Sequence, residues 1–303
     1  MKICALLLPL LITLATPTAA WYRGFNFKSY TADGSTCKNR TDWAYAFSSV
    51  RQLPNGINAA RLFHAYECDS LVNAVPEAIV NGMQILVGLD DSDTKFPAEK
   101  GALIAAIEKH GWGWLLGVAV GSESLYQGAI TPDNLAGKIQ DVKGMIRALS
   151  GYPGNIEVGH VDTTNAWFDN TNDPVMMASD FIGVDIYPYF QLEDNNHISN
   201  AGQLFNNAIA QALKSVAAAG SKASVWVTET GWPVTGSSLG EAVPGVENAA
   251  SYFQEVACPS FGQMNTFWFT YQDWYATPSF AVVNADGQQY FNQTCLSIQQ
   301  RVF

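Results

Sequence analysis

The sequence predicts a single (β/α)8 TIM barrel, and three observations carry that reading. Eight short runs rich in β-branched and aromatic residues recur along the 303 residues, as buried strands do. Patterns with apolar residues three and four apart fall between them, as amphipathic helices require. No Ser- or Pro-rich linker, repeat or low-complexity tract divides the chain, so strands and helices alternate within one domain of barrel size. An open doubly wound sheet is the rival, but the first strand runs out through Phe25-Asn26-Phe27 with no GxGxxG phosphate turn behind it.

In chain order, Lys2 and the apolar run from Ile3 to Ala15 lead into Thr16-Pro17-Thr18-Ala19-Ala20, the pattern of a secretory signal peptide with a small-residue cleavage site. Residues 1–20 are expected to leave, with Trp21 first in the mature barrel domain, 21–303. Strands are expected at residues 24–27, 60–63, 84–89, 115–120, 156–161, 181–187, 224–229 and 266–271. Helices are expected over 133–149 and 203–219; Thr131-Pro132-Asp133 reads as a helix start, and Gly151 and Gly220 as stops. No other apolar run is long enough to span a bilayer. The end, Gln299-Gln300-Arg301-Val302-Phe303, lacks the hydrophobic tail of a lipid-anchor signal.

Composition narrows the partners. With 27 acidic against 16 basic residues and a net charge of −11, the chain is a poor match for nucleic acid or an acidic membrane. Neutral substrates fit better: 14% of residues are charged and 12% are aromatic, a content that suits stacking on sugar rings as well as core packing. Cys4 would leave with the signal peptide. Cys37, Cys68, Cys258 and Cys295 remain, an even number that predicts two disulfides in a secreted chain. Of the three connectivities, Cys37 with Cys68 and Cys258 with Cys295 is preferred, because each pair joins neighbouring elements. Asn39-Arg40-Thr41 and Asn292-Gln293-Thr294 are sequons that place N-glycans on Asn39 and Asn292. His64, Glu67 and Cys68 are spaced like metal ligands, and Asp90, Asp91 and Asp93 like a cation loop. Neither set is completed, by a second His/Cys pair or by the Gly and final Glu of a calcium hand, so no metal and no cofactor is expected.

The chemistry concentrates in two stretches. Ser224-Val225-Trp226-Val227-Thr228-Glu229 is a strand that ends in a carboxylate and is stopped by Gly231 and Pro233. A lone acid there could equally bridge to a neighbouring cation. Leu115 to Val120, followed by Gly121-Ser122-Glu123, repeats the design. In a barrel both acids fall at the C-terminal ends of strands, four and seven by count, where such folds keep their chemistry. Paired carboxylates in an aromatic cleft are the equipment of glycoside hydrolysis, one protonated and one ionised. A separation of about 5–5.5 Å implies retention of configuration and about 6.5–9.5 Å inversion, which spacing in sequence does not decide.

Val120-Gly121-Ser122-Glu123, Asp185-Ile186-Tyr187-Pro188-Tyr189-Phe190 and Val227-Thr228-Glu229-Thr230-Gly231-Trp232-Pro233 resemble the signatures of glycoside hydrolase family 17. The resemblance runs from Trp21 to the C-terminus and is closest to the fungal cell-wall branch, the glucan endo-1,3-β-glucosidases and 1,3-β-glucanosyltransferases. It implies a secreted, wall-associated enzyme that acts on β-1,3-glucan with retention, Glu123 as acid/base and Glu229 as nucleophile. Ser122 departs from the pattern, standing where many barrel relatives carry an Asn that binds the sugar 2-hydroxyl. Val234 stands where plant members often carry a hydroxyl residue, in keeping with the fungal branch.

Supporting residues are placed by the same barrel geometry and resemblance. Arg61, on the second strand, is positioned to lie beneath Glu229 and stabilise its charge, or to serve an ordinary barrel ion pair. Tyr187 is a candidate hydrogen-bond donor to the nucleophile. Tyr66, Tyr126, Trp232, Trp268 and Trp274 are candidate stacking platforms, and Asp162 and Asn165, after strand five, candidate hydroxyl ligands or turn formers. A monomer with a β-1,3-glucan substrate is expected. The rivals are a wall glucan-binding or cross-linking protein on the same barrel, and a barrel glycosidase for a mannan or β-1,4-glucan.

Overall fold

The computed structural model describes residues 21–31 and 33–296. The expected signal peptide, Cys4 and the C-terminal tail lie outside the described residues. Eight parallel strands close into a barrel in chain order: β1 Arg23–Phe27, β2 Ala59–Leu62, β3 Gln84–Leu89, β4 Leu115–Ser122, β5 Glu157–Thr163, β6 Phe181–Ile186, β7 Ser224–Thr230 and β8 Thr266–Trp268. Closure is made by β1 and β8, with Gly24 opposite Phe267 and Phe25 opposite Trp268. Helices α1 Arg40–Arg51, α2 Ser70–Val80, α3 Phe96–His110, α4 Pro132–Ala148, α5 Thr164–Phe168, α6 Asp173–Ala178, α7 Ile198–Ala218 and α8 Val246–Tyr252 fill the connections. No helix among the described residues is long and apolar enough to cross a membrane.

Period-two alternation sorts each strand between two cores. Ala59, Leu86, Leu116, Val161, Phe181, Trp226 and Phe267, one from each of β2 to β8, meet inside the barrel, where Phe181 and Trp226 stack with centroids 4.2 Å apart. Their neighbours Ala60, Ile85, Val118, Val158, Ile182 and Val227 face the helices instead. The inward layer fills the middle of the barrel; below it Gln84, Leu116, Glu157, Trp226 and Asn265 line a cavity at the N-terminal end, and above it the C-terminal mouth carries a second set of polar side chains.

Element boundaries shift at identifiable places. The eighth strand ends at Trp268, short of the expected residue 271; beyond it Thr270 Oγ1 donates to the Asn26 carbonyl at 2.8 Å, a side-chain bond in place of a ladder bond. Helix α7 starts five residues before the expected position because His197 caps it, its Nδ1 accepting the Ser199 N–H at 3.3 Å. Gly202 interrupts the apolar pattern there, and its missing Cβ makes room for Glu255. The disulfides are Cys37 to Cys68 and Cys258 to Cys295, the preferred pairing. Asn39 and Asn292 are both exposed; Asn39 caps α1, its Oδ1 accepting from Thr41 and Asp42, and Asn292 Oδ1 accepts from Thr294.

Candidate active site

Glu123 and Glu229 both reach the mouth through a bulge. In β4, Ala119 pairs with Gly159 and Ser122 with Val161, three residues spent against two. In β7, Val227 pairs with Val184 and Glu229 with Asp185, so Thr228 is the extra residue. A bulge breaks the alternation and re-aims the side chains beyond it. The turn in β4 is tight: Gly121 has φ +76° and Glu123 φ +56°. A Cβ on Gly121 would stand 2.5 Å from Asp91 Oδ2, so both the dihedral and the space demand glycine.

The two carboxyls meet different surroundings. Glu229 is 7% exposed; Arg61 Nη1 donates to its Oε1, and Tyr187 Oη donates to its Oε2 at 2.6 Å. Arg61, 1% exposed, also donates to Asn26 Oδ1 at 2.9 Å and to Ser122 Oγ at 3.0 Å. Burial works against the guanidinium, but the charges of Glu229 and Asp185 outweigh it and raise its pKa. Burial, with the same two charges, also drives the Tyr187 phenol well above its ordinary value, so it stays a donor. Glu123 is half-buried, and desolvation first, then the charges of Glu229 and Asp162, push its carboxyl up to about 7. One acid thus sits among fixed donors, and the other is held protonated to near neutrality.

Two cavities flank the pair. One of about 430 Å³ contains Glu229 and Glu123 together with Lys28, Phe63, His64, Glu67, Ser122, Gln127 and Phe269. The other, about 410 Å³, contains Glu123 but not Glu229, with Tyr126, Thr163, Thr164, Asn165, Asp185, Tyr187, Phe190 and Gln191. Among the described residues no group of three or more His, Cys, Asp or Glu side chains is arranged to hold a metal. Cys68 is spent in a disulfide, and Lys95 and Lys138 pair with Asp90 and Asp93.

A profile of the BtgE/BtgC glycoside hydrolase domain matches residues 24–283, which takes in all eight strands but for the first residue of β1. The chain belongs to this glycoside hydrolase family. Among its relatives, the Aspergillus oryzae protein named "Probable glucan endo-1,3-beta-glucosidase eglC" is 38% identical over 92% of this chain and 63% of its own length. A Candida albicans protein named glucan 1,3-beta-glucosidase is 32% identical over 75% of this chain and 74% of its own. The chain spans about 63% of the length of the Aspergillus oryzae and Aspergillus niger relatives. Among solved structures, the glycoside hydrolase family 17 beta-1,3-glucanosyltransferase of Rhizomucor miehei superposes with a TM-score of 0.75 at 23% identity, covering 90% of this chain and 98% of that one. An active-site mutant of that enzyme in complex with laminaritriose superposes with a TM-score of 0.74 at 22% identity, covering 90% and 98%. Both are likenesses of fold.

Within this BtgE/BtgC-type domain the expected site residues divide. Tyr126, Asn165, Tyr187 and Ser122 line the cavities with the two glutamates, and Arg61 lies directly against Glu229. Tyr66 is 56% exposed on the loop after β2 and lines neither cavity; Trp274 is half-buried, its Nε1 donating to the Val283 carbonyl. Three expectations are corrected. Trp232 and Trp268 are each 1% exposed, Trp232 donating to the Val243 carbonyl and Trp268 packed on Tyr252 and Phe253, so neither presents a face to a sugar. Asp162 is 0% exposed and spends its oxygens on His160 and on backbone N–H groups of Leu125 and Thr163, so no hydroxyl reaches it. Sequence reasoning passed over Asn26, Lys28, Phe63, Asp185, Phe190 and Phe269. Asn26 and Asp185 carried a signal, being polar residues at inward positions of otherwise apolar strands. Phe63 is a single aromatic at a strand end and carried none, while Phe190 and Phe269 stand in aromatic runs, Tyr187 to Phe190 and Phe267 to Phe269, in which nothing local marks the ring that faces the cavity.

Proposed function

We propose that this domain is a secreted, retaining glycosidase and transglycosylase acting on β-1,3-glucan of the fungal cell wall. Glu123 protonates the leaving oxygen, Glu229 attacks the anomeric carbon to form a glycosyl-enzyme, and Glu123 then takes a proton from the incoming water or glucan hydroxyl. The observation that carries this reading is the contrast between the two acids: Glu123 pushed up to about 7, Glu229 gripped by Arg61 and Tyr187 in a donor set suited to an anion. The glucosyl unit joined to Glu229 fits the cavity that holds both acids, and the leaving group or acceptor the cavity that holds Glu123 alone, where Tyr126 and Phe190 offer exposed rings. The names of the curated relatives support β-1,3-glucan as substrate. Residues 1–20, two disulfides and exposed sequons at Asn39 and Asn292 support secretion with N-glycosylation. Mass spectrometry of products from a linear β-1,3-gluco-oligosaccharide, with wild type and Glu229→Gln in parallel, tests the reading. Products shorter and longer than the substrate from wild type, and none from the variant, are expected for transfer. Shorter products alone mean hydrolysis, and an untouched substrate overturns the proposal in favour of a binding protein or another glycan. Retention is read separately, from the anomer first seen by NMR.

A further inference from the structure

Two polar residues of β5 lie outside both cavities, and of them only the charge of Asp162, through its repulsion of Glu123, has entered the chemistry so far. His160 and Asp162 are each 0% exposed, and the His160 ring stands against Trp167 of α5, centroids 5.7 Å apart. Its Nδ1 is 2.6 Å from the Val120 carbonyl oxygen and its Nε2 is 2.9 Å from Asp162 Oδ2. A carbonyl only accepts, so Nδ1 donates. Asp162 Oδ2 already accepts the Leu125 N–H at 2.9 Å and faces the Tyr126 N–H at 3.4 Å, while Oδ1 accepts the Thr163 N–H at 2.7 Å. Such a surrounded oxygen is an acceptor toward Nε2 as well, and both ring nitrogens then carry hydrogen.

These bonds grip the chain on both sides of Glu123. Val120 precedes the bulge at Gly121-Ser122, and Leu125 and Tyr126 lie two and three residues beyond the glutamate. Glu123 itself holds φ +56°, a left-handed conformation that costs a non-glycine residue about 1–3 kcal/mol and persists only where its surroundings over-determine it. Its own backbone adds two ties, the N–H to Val161 O at 2.9 Å and the carbonyl to Gln127 N at 3.0 Å. We propose that His160 and Asp162 form a buried positioning pair, with both imidazole nitrogens donating, that holds the Glu123 carboxyl where it can protonate the leaving oxygen. The inference rests on the reading of Glu123 as the acid.

Two measurements test it. The protein has four histidines, and His64, His110 and His197 all contact solvent, so slowly exchanging imidazole N–H signals in ¹H–¹⁵N NMR of the wild type, told from the indole ones by selective ¹⁵N-histidine labelling, belong to His160. Two such signals are expected from the two donor contacts; one overturns the proposal without any variant having to fold. The second compares kcat/KM on a β-1,3-gluco-oligosaccharide with that on a 2,4-dinitrophenyl β-laminaribioside, whose leaving group needs no proton. Asp162→Asn is expected to lose about 10- to 100-fold on the oligosaccharide, as small misplacements of a reacting group do, and to stay within about 3-fold on the aryl glycoside. Glu123→Gln should show the same selectivity with a deeper loss, about 10²- to 10⁴-fold. Selective loss in Glu123→Gln but equal loss on both substrates, or none, in Asp162→Asn overturns the positioning pair and leaves the acid assignment standing. An unselective Glu123→Gln removes both.

Discussion

Replacing Glu123 by Gln should make the protein more stable, and only at high pH. The Glu123 carboxyl lies at about 7 against an ordinary 4.5, first because burial strips water from its charged form and then because Glu229 and Asp162 repel it. A folded-state pKa raised in this way costs nothing below the unfolded value, where the group is neutral in both states. As pH rises from about 4.5 to about 7 the unfolded chain releases its proton first, so stability falls, and above about 7 the full cost is present. The shift corresponds to about 3 kcal/mol, and screening of a half-buried group by solvent reduces it to about 2 kcal/mol. Gln keeps the shape and carries no charge. The variant should therefore match wild type near pH 4 and exceed it by about 2 kcal/mol near pH 9, or about 4–8 °C in Tm for a domain of this size. Urea unfolding at the two pH values, read from midpoint and slope together, measures it, since the titrations of groups that do not interact with Glu123 cancel in the difference. An equal gain at both, or none at pH 9, refutes the assignment of Glu123 as the strained acid. The same protonation predicts that kcat/KM holds below about pH 7 and falls above it.

Four further outcomes are expected. Glu229→Gln removes a repelling charge, so the Glu123 carboxyl, followed by ¹³C NMR, should titrate at lower pH than in wild type. Tyr187→Phe removes the 2.6 Å bond to Glu229 Oε2 and leaves one carboxylate oxygen unheld; kcat/KM should drop about 10- to 100-fold, the worth of a hydrogen bond to a charged group. Gly121→Ala forces a Cβ toward Asp91 at φ +76°, and thermal melting should show a loss of about 1–3 kcal/mol together with reduced turnover as the Glu123 turn shifts. Cys258→Ser with Cys295→Ser opens a link across 37 residues and should cost about 3–4 kcal/mol in denaturant unfolding while leaving the mouth residues in place.

The barrel was legible because its signals are local. Each strand declares itself by a few β-branched or aromatic residues between turn formers, and a one-residue error at an end, as at Ser224–Thr230, leaves the strand in place. The glutamates were legible because the same local design, an acid closing an apolar run, recurs on two strands, whereas one such acid alone could equally have bridged to a neighbouring cation. Arg61 could be placed only as a candidate, because its partners Asn26, Ser122 and Glu229 lie 35, 61 and 168 residues away in sequence. The aromatics were least legible. Trp232 and Trp268 look like sugar platforms in sequence, but helix α8 closes over them through Tyr252, and its position depends on the whole ring of elements.

The sequence by itself determined the number and order of the strands, the two glutamates at their C-terminal ends and the even set of cysteines. These depend on periodicity and composition within a few residues of each position. Only the tertiary structure decided which side chains meet at the mouth. Bulges in β4 and β7 break the alternation just before each glutamate, and barrel closure sets the height of Arg61, Asp185 and Tyr187 relative to them. The electrostatic contrast between Glu123 and Glu229 arises there too, since desolvation and charge repulsion depend on distances across the barrel that no single segment contains.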